Sequence, residues 1–125
     1  MGKLSYVHGA SAVPLLGETI FQNLRRTAER FGEHEALVVV HQDHRSTYAE
    51  LVDECETIAR GLLARGVRKG DRVGIWAPNR FEWVIVQYAT AAIGAILVNI
   101  NPAYRTSELQ YALRQSGCRL SLIHI

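Results

Sequence analysis

Gly66-Val67-Arg68-Lys69-Gly70-Asp71-Arg72-Val73-Gly74-Ile75-Trp76-Ala77-Pro78-Asn79 is followed by an apolar run and then by Gly94-Ala95-Ile96-Leu97-Val98-Asn99-Ile100-Asn101-Pro102. Gly70-Asp71 makes a turn into a strand over 72–77, and Pro78-Asn79 breaks it. Asn79 is a candidate N-cap for a helix over 81–93, which Gly94-Ala95 terminates. A second strand covers 96–100 and ends at Asn101-Pro102. Strand, helix and strand in that order make one βαβ unit, whose two strands pair in parallel and need cover on both faces. The fold class is therefore α/β, with a hairpin and a doubly wound parallel βαβαβ unit.

Upstream, Leu51, Val52, Cys55, Ile58, Ala59, Leu62 and Leu63 line one stripe of a helix, with Asp53, Glu54, Glu56 and Arg60 opposite. Thr47-x-x-Glu50 is its capping box and Gly66 its stop. Before it, Glu35 to His41 is a strand, with Ala36-Leu37-Val38-Val39-Val40 as its β-branched run, that turns at Gln42-Asp43-His44 into a short strand over 45–48, a hairpin. Ile20, Phe21, Leu24, Ala28 and Phe31 repeat at helical spacing over 18–31, and Gly32 stops that helix. Residues 1–17 carry Gly2, Gly9, Pro14 and Gly17 with little periodicity, which predicts an irregular arm.

Downstream, Thr106 or Ser107 is expected to cap a helix bearing Leu109, Ala112 and Leu113, which Gly117 stops, and Cys118 opens another strand. The helix at 81–93 is apolar nearly all round, so a simple two-layer sandwich would leave it short of cover. The closing hexapeptide, Leu120-Ser121-Leu122-Ile123-His124-Ile125, is what a common transposon sequencing-adapter end (CTGTCTCTTATACACATC) encodes in one frame. Residues 120–125 are therefore expected to be a non-native tail, apolar enough to continue as a strand.

The 125 residues make one domain, 48% hydrophobic and 21% charged, an ordinary globular composition. A formal charge of +2 does not by itself imply nucleic acid or a membrane. Arg25, Arg26 and Arg30 read as a solvated helix face. Cys55 and Cys118 set neither a disulfide framework nor metal-ligand spacing, and Cys55 falls on an apolar stripe, as in a reducing compartment. No secretory signal opens the chain. The apolar run 83–100 is interrupted by Gln87, Thr90 and Asn99, which predicts no transmembrane segment.

Catalytic motifs are missing. There is no Gly-x-x-x-x-Gly-Lys-Ser/Thr, Gly-x-Gly-x-x-Gly, Gly-x-Ser-x-Gly or His-Glu-x-x-His. Gly66 to Asp71 precedes a strand, whereas anion cradles lie between a strand and a helix N-terminus. His41 and His44 read as solvated turn residues, with no third ligand nearby in sequence. Asn101-Pro102, beyond a strand's carboxyl end, is the position where an open sheet would bind a ligand, although a structural turn accounts for it. No catalytic, cofactor-binding or metal-binding residue is assigned.

Thr47-Tyr48-Ala49-Glu50-Leu51, Gly66-Val67-x-Lys69-Gly70-Asp71-Arg72-Val73-Gly74-Ile75, Pro78-Asn79, Glu82-Trp83 and Ala91-x-x-Gly94 through Tyr104 stand in one order. As a set they resemble the N-terminal part of the adenylate-forming enzymes. Ser5-Tyr6-Val7-His8-Gly9 and Asn101-Pro102-Ala103-Tyr104-Arg105 resemble the AMP-dependent fatty-acyl-CoA synthetase branch, including its medium-chain members. The resemblance spans about residues 4–119. It implies a parent ligase that activates a fatty acid with ATP and magnesium to an acyl-adenylate and transfers the acyl group to coenzyme A. It also implies that residues 18–119 are an incomplete part of the AMP-binding domain, a scaffold inactive alone, with the phosphate loop and catalytic lysine elsewhere. Cytoplasmic residence is expected, or the mitochondrial matrix if a targeting segment is missing. No nucleic-acid partner is expected, and oligomeric state is left open. The alternative is a short non-catalytic α/β module for binding or dimerisation.

Overall fold

The computed structural model describes residues 5–7 and 9–123. Arg72–Trp76 forms a strand whose Val73, Gly74 and Ile75 are all buried, so both of its faces are covered. It sits between two parallel neighbours, Ile96–Ile100 on one side and Cys118–Ile123 on the other. In chain order the elements are α1 (Ile20–Phe31), β1 (Glu35–Val39), β2 (His44–Thr47), α2 (Tyr48–Ala64), β3 (Arg72–Trp76), α3 (Phe81–Ile93), β4 (Ile96–Ile100), α4 (Thr106–Ser116) and β5 (Cys118–Ile123). The sheet order is β4-β3-β5, and β1 and β2 pair separately as an antiparallel hairpin.

From β3 the chain crosses to β4 and then returns past β3 to β5. Right-handed crossovers put α3 and α4 on opposite faces of the sheet for that reason. On the α3 side, Val73 packs with Ala59, Leu62, Val67 and Ala89, and Ile75 packs with Ala77 and Val86. Gly74 points to the other face, where a Cβ would stand 3.0 Å from Ile100 Cδ1 and 3.2 Å from Cys118 Sγ. A side chain there would push Ile100 and Cys118 aside by a few tenths of an ångström. β5 departs from strict register between Arg72 and Val73, a bulge that leaves Arg119 without an opposite residue.

The cover that α3 requires comes from inside the chain. Leu24 of α1, Leu51 and Cys55 of α2 and Ile85 of α3 form a buried cluster, closed by Ala36 and Leu37 of the hairpin. Ile85, Val86, Ala89 and Thr90 are buried, whereas Gln87 and Ala92 reach solvent. Three layers stand where a simple sandwich has two.

Thr47 and Glu50 form the expected capping box of α2. The other helix starts differ from expectation. α1 begins at Ile20 because Thr19 and Gln22 make a second capping box. α3 is not capped by Asn79: Arg80 holds the N-cap position without a side-chain bond, and Gln42 Oε1 accepts from Phe81 N at 2.7 Å. At α4 neither Thr106 nor Ser107 caps, since both lie inside the helix; Glu108 accepts instead from Arg105 N at 3.2 Å. Among the described residues of 1–17 there is no helix or strand. No helix of the described residues is long and apolar enough to cross a membrane.

Candidate functional site at the carboxyl ends of the sheet

An open α/β sheet binds ligands beyond the carboxyl ends of its strands, where the direction of winding reverses. Here the reversal lies between β3 and β5, and a cavity of about 690 Å³ opens beside it. Its walls are apolar: Ile58 and Leu62 from α2, Ile75 from β3, Trp83 and Val86 from α3, Leu120 and Leu122 from β5. Arg65, Arg80 and Glu82 supply its charges.

Arg80 and Glu82 are already engaged with each other, whereas the exposed Arg65 makes no ion pair among the described residues. Arg80 Nε and Nη2 donate to the two oxygens of Glu82, each at 3.1 Å, and Gln42 Nε2 donates to Glu82 Oε2 at 3.1 Å. Burial alone would push the Glu82 carboxyl up. The hydrogen bonds from Arg80 and Gln42 outweigh it and hold the group down at about 2. The β3–α3 turn is pinned as well, because Trp83 Nε1 donates to the carbonyls of Ala77 and Pro78 at 3.1 and 2.9 Å. The first amide of α3 is spent on Gln42. A rigid, internally satisfied corner beside an apolar wall is a packing surface. The Arg80 and Gln42 donors at this corner are spent on Glu82 and are not free for a phosphate.

The positions singled out in the sequence stay apart. Asn101 is structural: its Oδ1 accepts from Ala103 N at 2.9 Å and its carbonyl accepts from Trp76 Nε1 at 3.0 Å. Gly66 and Gly70 adopt φ of 88° and 86°, as a helix stop and a turn require. His41 is exposed. His44 is not the solvated turn residue its neighbourhood implied. It lies in β2, stacked on Phe81 at 3.8 Å between ring centroids, with Nε2 3.7 Å from Glu54 Oε2. The aromatic partner, 37 residues on, leaves no mark in the local sequence. Among the described residues no three His, Cys, Asp or Glu side chains converge on a metal position. Cys55 is no nucleophile, since burial first and the charges of Glu54 and Glu56 second push its thiol up to about 12. Of the residues that organise this corner, Glu82 entered the sequence reading only with Trp83 in the family resemblance, and Gln42 and Arg80 carried no signal. Their link spans about 40 positions and follows no helical or strand period.

A family model described as AMP-binding enzyme matches residues 24–124. The medium-chain acyl-CoA ligase ACSF2, mitochondrial, of Homo sapiens is 50% identical over 119 residues, which are 95% of this chain and 19% of that protein. This chain spans about a fifth of the length of the curated relatives it matches. Among solved structures, the N-terminal domain of FACL13 from Mycobacterium tuberculosis superposes with a TM-score of 0.82 at 32% identity, over 85% of this chain and 27% of that one. The NpsA N-terminal subdomain from Klebsiella oxytoca does so with a TM-score of 0.77 at 26% identity, over 84% of this chain and 27% of that one.

Proposed function

This chain belongs to the AMP-binding enzyme family, and from that premise we propose that it is a scaffold segment of an acyl-CoA ligase. The parent reaction is ATP-dependent formation of an acyl-adenylate from a fatty acid, then transfer of the acyl group to coenzyme A. One observation carries the reading. This chain superposes on the N-terminal domain of FACL13 over 85% of its own length while accounting for 27% of that one.

The residues present do not fit ATP with magnesium or coenzyme A. Phosphoryl and adenylyl chemistry relies on cations and backbone donors preorganised around phosphates. At the carboxyl ends of this sheet the Arg80 guanidinium is closed on Glu82, and Glu82 is closed on Arg80 and Gln42. The first amide of α3 is taken by Gln42. No reaction step is therefore assigned to these residues. Their part is to hold the β3–α3 corner in place for the rest of the ligase. Residues 18–119 form the incomplete AMP-binding part and 1–17 its arm. The tail 120–125 is taken as non-native because its six residues match the adapter-encoded hexapeptide. The mitochondrial name of the human relative favours the matrix over the cytosol.

The test is pyrophosphate release with a panel of fatty acids, run on the 125-residue chain and on the longer product of the intact gene. Turnover is expected from the longer product alone. ATP-dependent turnover by the short chain would overturn the scaffold reading, and a folded longer product silent on every carboxylate would overturn the ligase reading.

A further inference from the structure

The β3–β4 ladder runs in strict register, and the β3–β5 ladder does not. Cys118 lies opposite Arg72 and Leu120 opposite Val73, so Arg119 is the extra residue. Side chains alternate along a strand, and residues opposite each other in parallel strands share a face. Leu120 and Leu122 thus follow Val73 and Ile75 to the α3 side, where they pack against the clusters around those two residues. Cys118 and Ser121 follow Arg72 and Gly74 to the other side. Cys118 Sγ and Ser121 Oγ stand 3.2 and 3.5 Å from where a Gly74 Cβ would be.

A pairing without the bulge would set Arg119 opposite Val73, Leu120 opposite Gly74 and Ser121 opposite Ile75. That one-residue shift turns every later side chain to the opposite face. Val73 has no exposed surface and packs with Ala59, Leu62, Val67 and Ala89. A guanidinium placed among them would lose its water and gain no partner, which costs far more than one irregular step in a ladder. In the bulged strand the Arg119 side chain keeps 57% of its surface exposed, with Nη1 3.5 Å from Asp71 Oδ2. An ion pair that open contributes little. Keeping the charge out of the core is the larger effect.

We propose that Arg119 is a register lock: its charge forbids the unbulged pairing and so decides which residues of β5 face the cavity. Leu120 and Leu122 line that cavity, at the side where the direction of winding reverses. One residue near the start of the strand thereby sets the wall along its length. Bulges re-aim side chains in this way beside sites and at sheet edges. Arg119 precedes the tail 120–125, so the lock acts on whatever strand follows it. Here Leu120-Ser121-Leu122 favours the same register by its own alternation, and Ser121→Leu is the background in which Arg119 decides alone. The proposal stands apart from the ligase reading and survives its failure.

The test is NMR of the 125-residue chain, reading nuclear Overhauser contacts from the methyl groups of β5 to those of Ile75 and Val86. In Ser121→Leu, with Arg119 in place, Leu122 should keep its contacts with that cluster. Adding Arg119→Leu allows residue 119 into the core and restores a regular ladder, so the contacts should pass from residue 122 to residue 121. Arg119→Lys in the same background keeps a charge and should hold the register. Deleting Arg119 from the unaltered sequence removes only the extra residue, so Leu122 should stay on Ile75 and Val86. In a strand without a bulge the same deletion would turn every later side chain over. Should Arg119→Leu with Ser121→Leu fail to fold by circular dichroism, the lysine variant and the deletion carry the test. Contacts that stay on residue 122 in the folded Arg119→Leu variant, a shift to residue 121 in the Arg119→Lys variant, or loss of the Leu122 contacts after the deletion would each overturn the proposal.

Discussion

Cys55 has no exposed surface, and its thiol is raised from 9.0 to about 12 by burial and then by Glu54 and Glu56. The fold therefore holds the neutral thiol, and the unfolded chain releases its proton first as pH rises. This contribution to stability is complete below pH 9.0 and lost between there and about 12. Urea melts of wild type are expected to fall across that window, and those of Cys55→Ala to fall less. A thiol reagent at neutral pH should label half-buried Cys118 and spare Cys55. Glu82 has the opposite sign. Its carboxyl is lowered from 4.5 to about 2, so its contribution is present above 4.5 and is lost as pH falls through that range. With 42% of the side chain exposed, solvent screening limits it to about 1 kcal/mol or less. Glu82→Gln should flatten the acid limb of the stability curve, and an unchanged limb would place the charge interaction elsewhere.

At the scale of elements, α2 gives two changes of different size. Leu62, buried under β3, should cost about 2–5 kcal/mol as Leu62→Ala, and Thr47→Ala about 0.5–2 kcal/mol as a lost cap. Urea melts in the reverse order would show that the core face is not where the stripe puts it. Gln42→Ala should cost about 1 kcal/mol although Gln42 lies in the hairpin connection, because it uncaps α3. A double-mutant cycle with Glu82 should find coupling between them. The contrast shows what the sequence can carry. Thr47 and Glu50 are three residues apart, and Ile96 through Ile100 is one unbroken apolar run, so both were legible. The boundaries of β4 and α3 were legible for the same reason. Thr19 with Gln22 was equally local and was overlooked, since Glu18 reads as a helix former. The cap at Phe81 and the stack of His44 on Phe81 were not legible, because side chains of the hairpin, far away in sequence, make them.

For the molecule as a whole, β4 and β5 each leave one edge unpaired among the described residues, and the cavity leaves an apolar wall open beside β5. Free strand edges and open apolar walls drive association. Sedimentation of the 125-residue chain should accordingly show mass rising with concentration, and a monomer at every concentration would contradict this account. The order β4-β3-β5 also sets a timetable for synthesis. The central strand is made first, and its neighbours begin only at Ile96 and Cys118. The hairpin and α2 can form as they leave the ribosome. β3 must wait for its first partner through a helix, and for its second through another. Until the strand that opens at Cys118 arrives, the most buried strand of the protein has a bare flank, so translation itself holds open the window in which a chaperone or a second nascent chain could take that place.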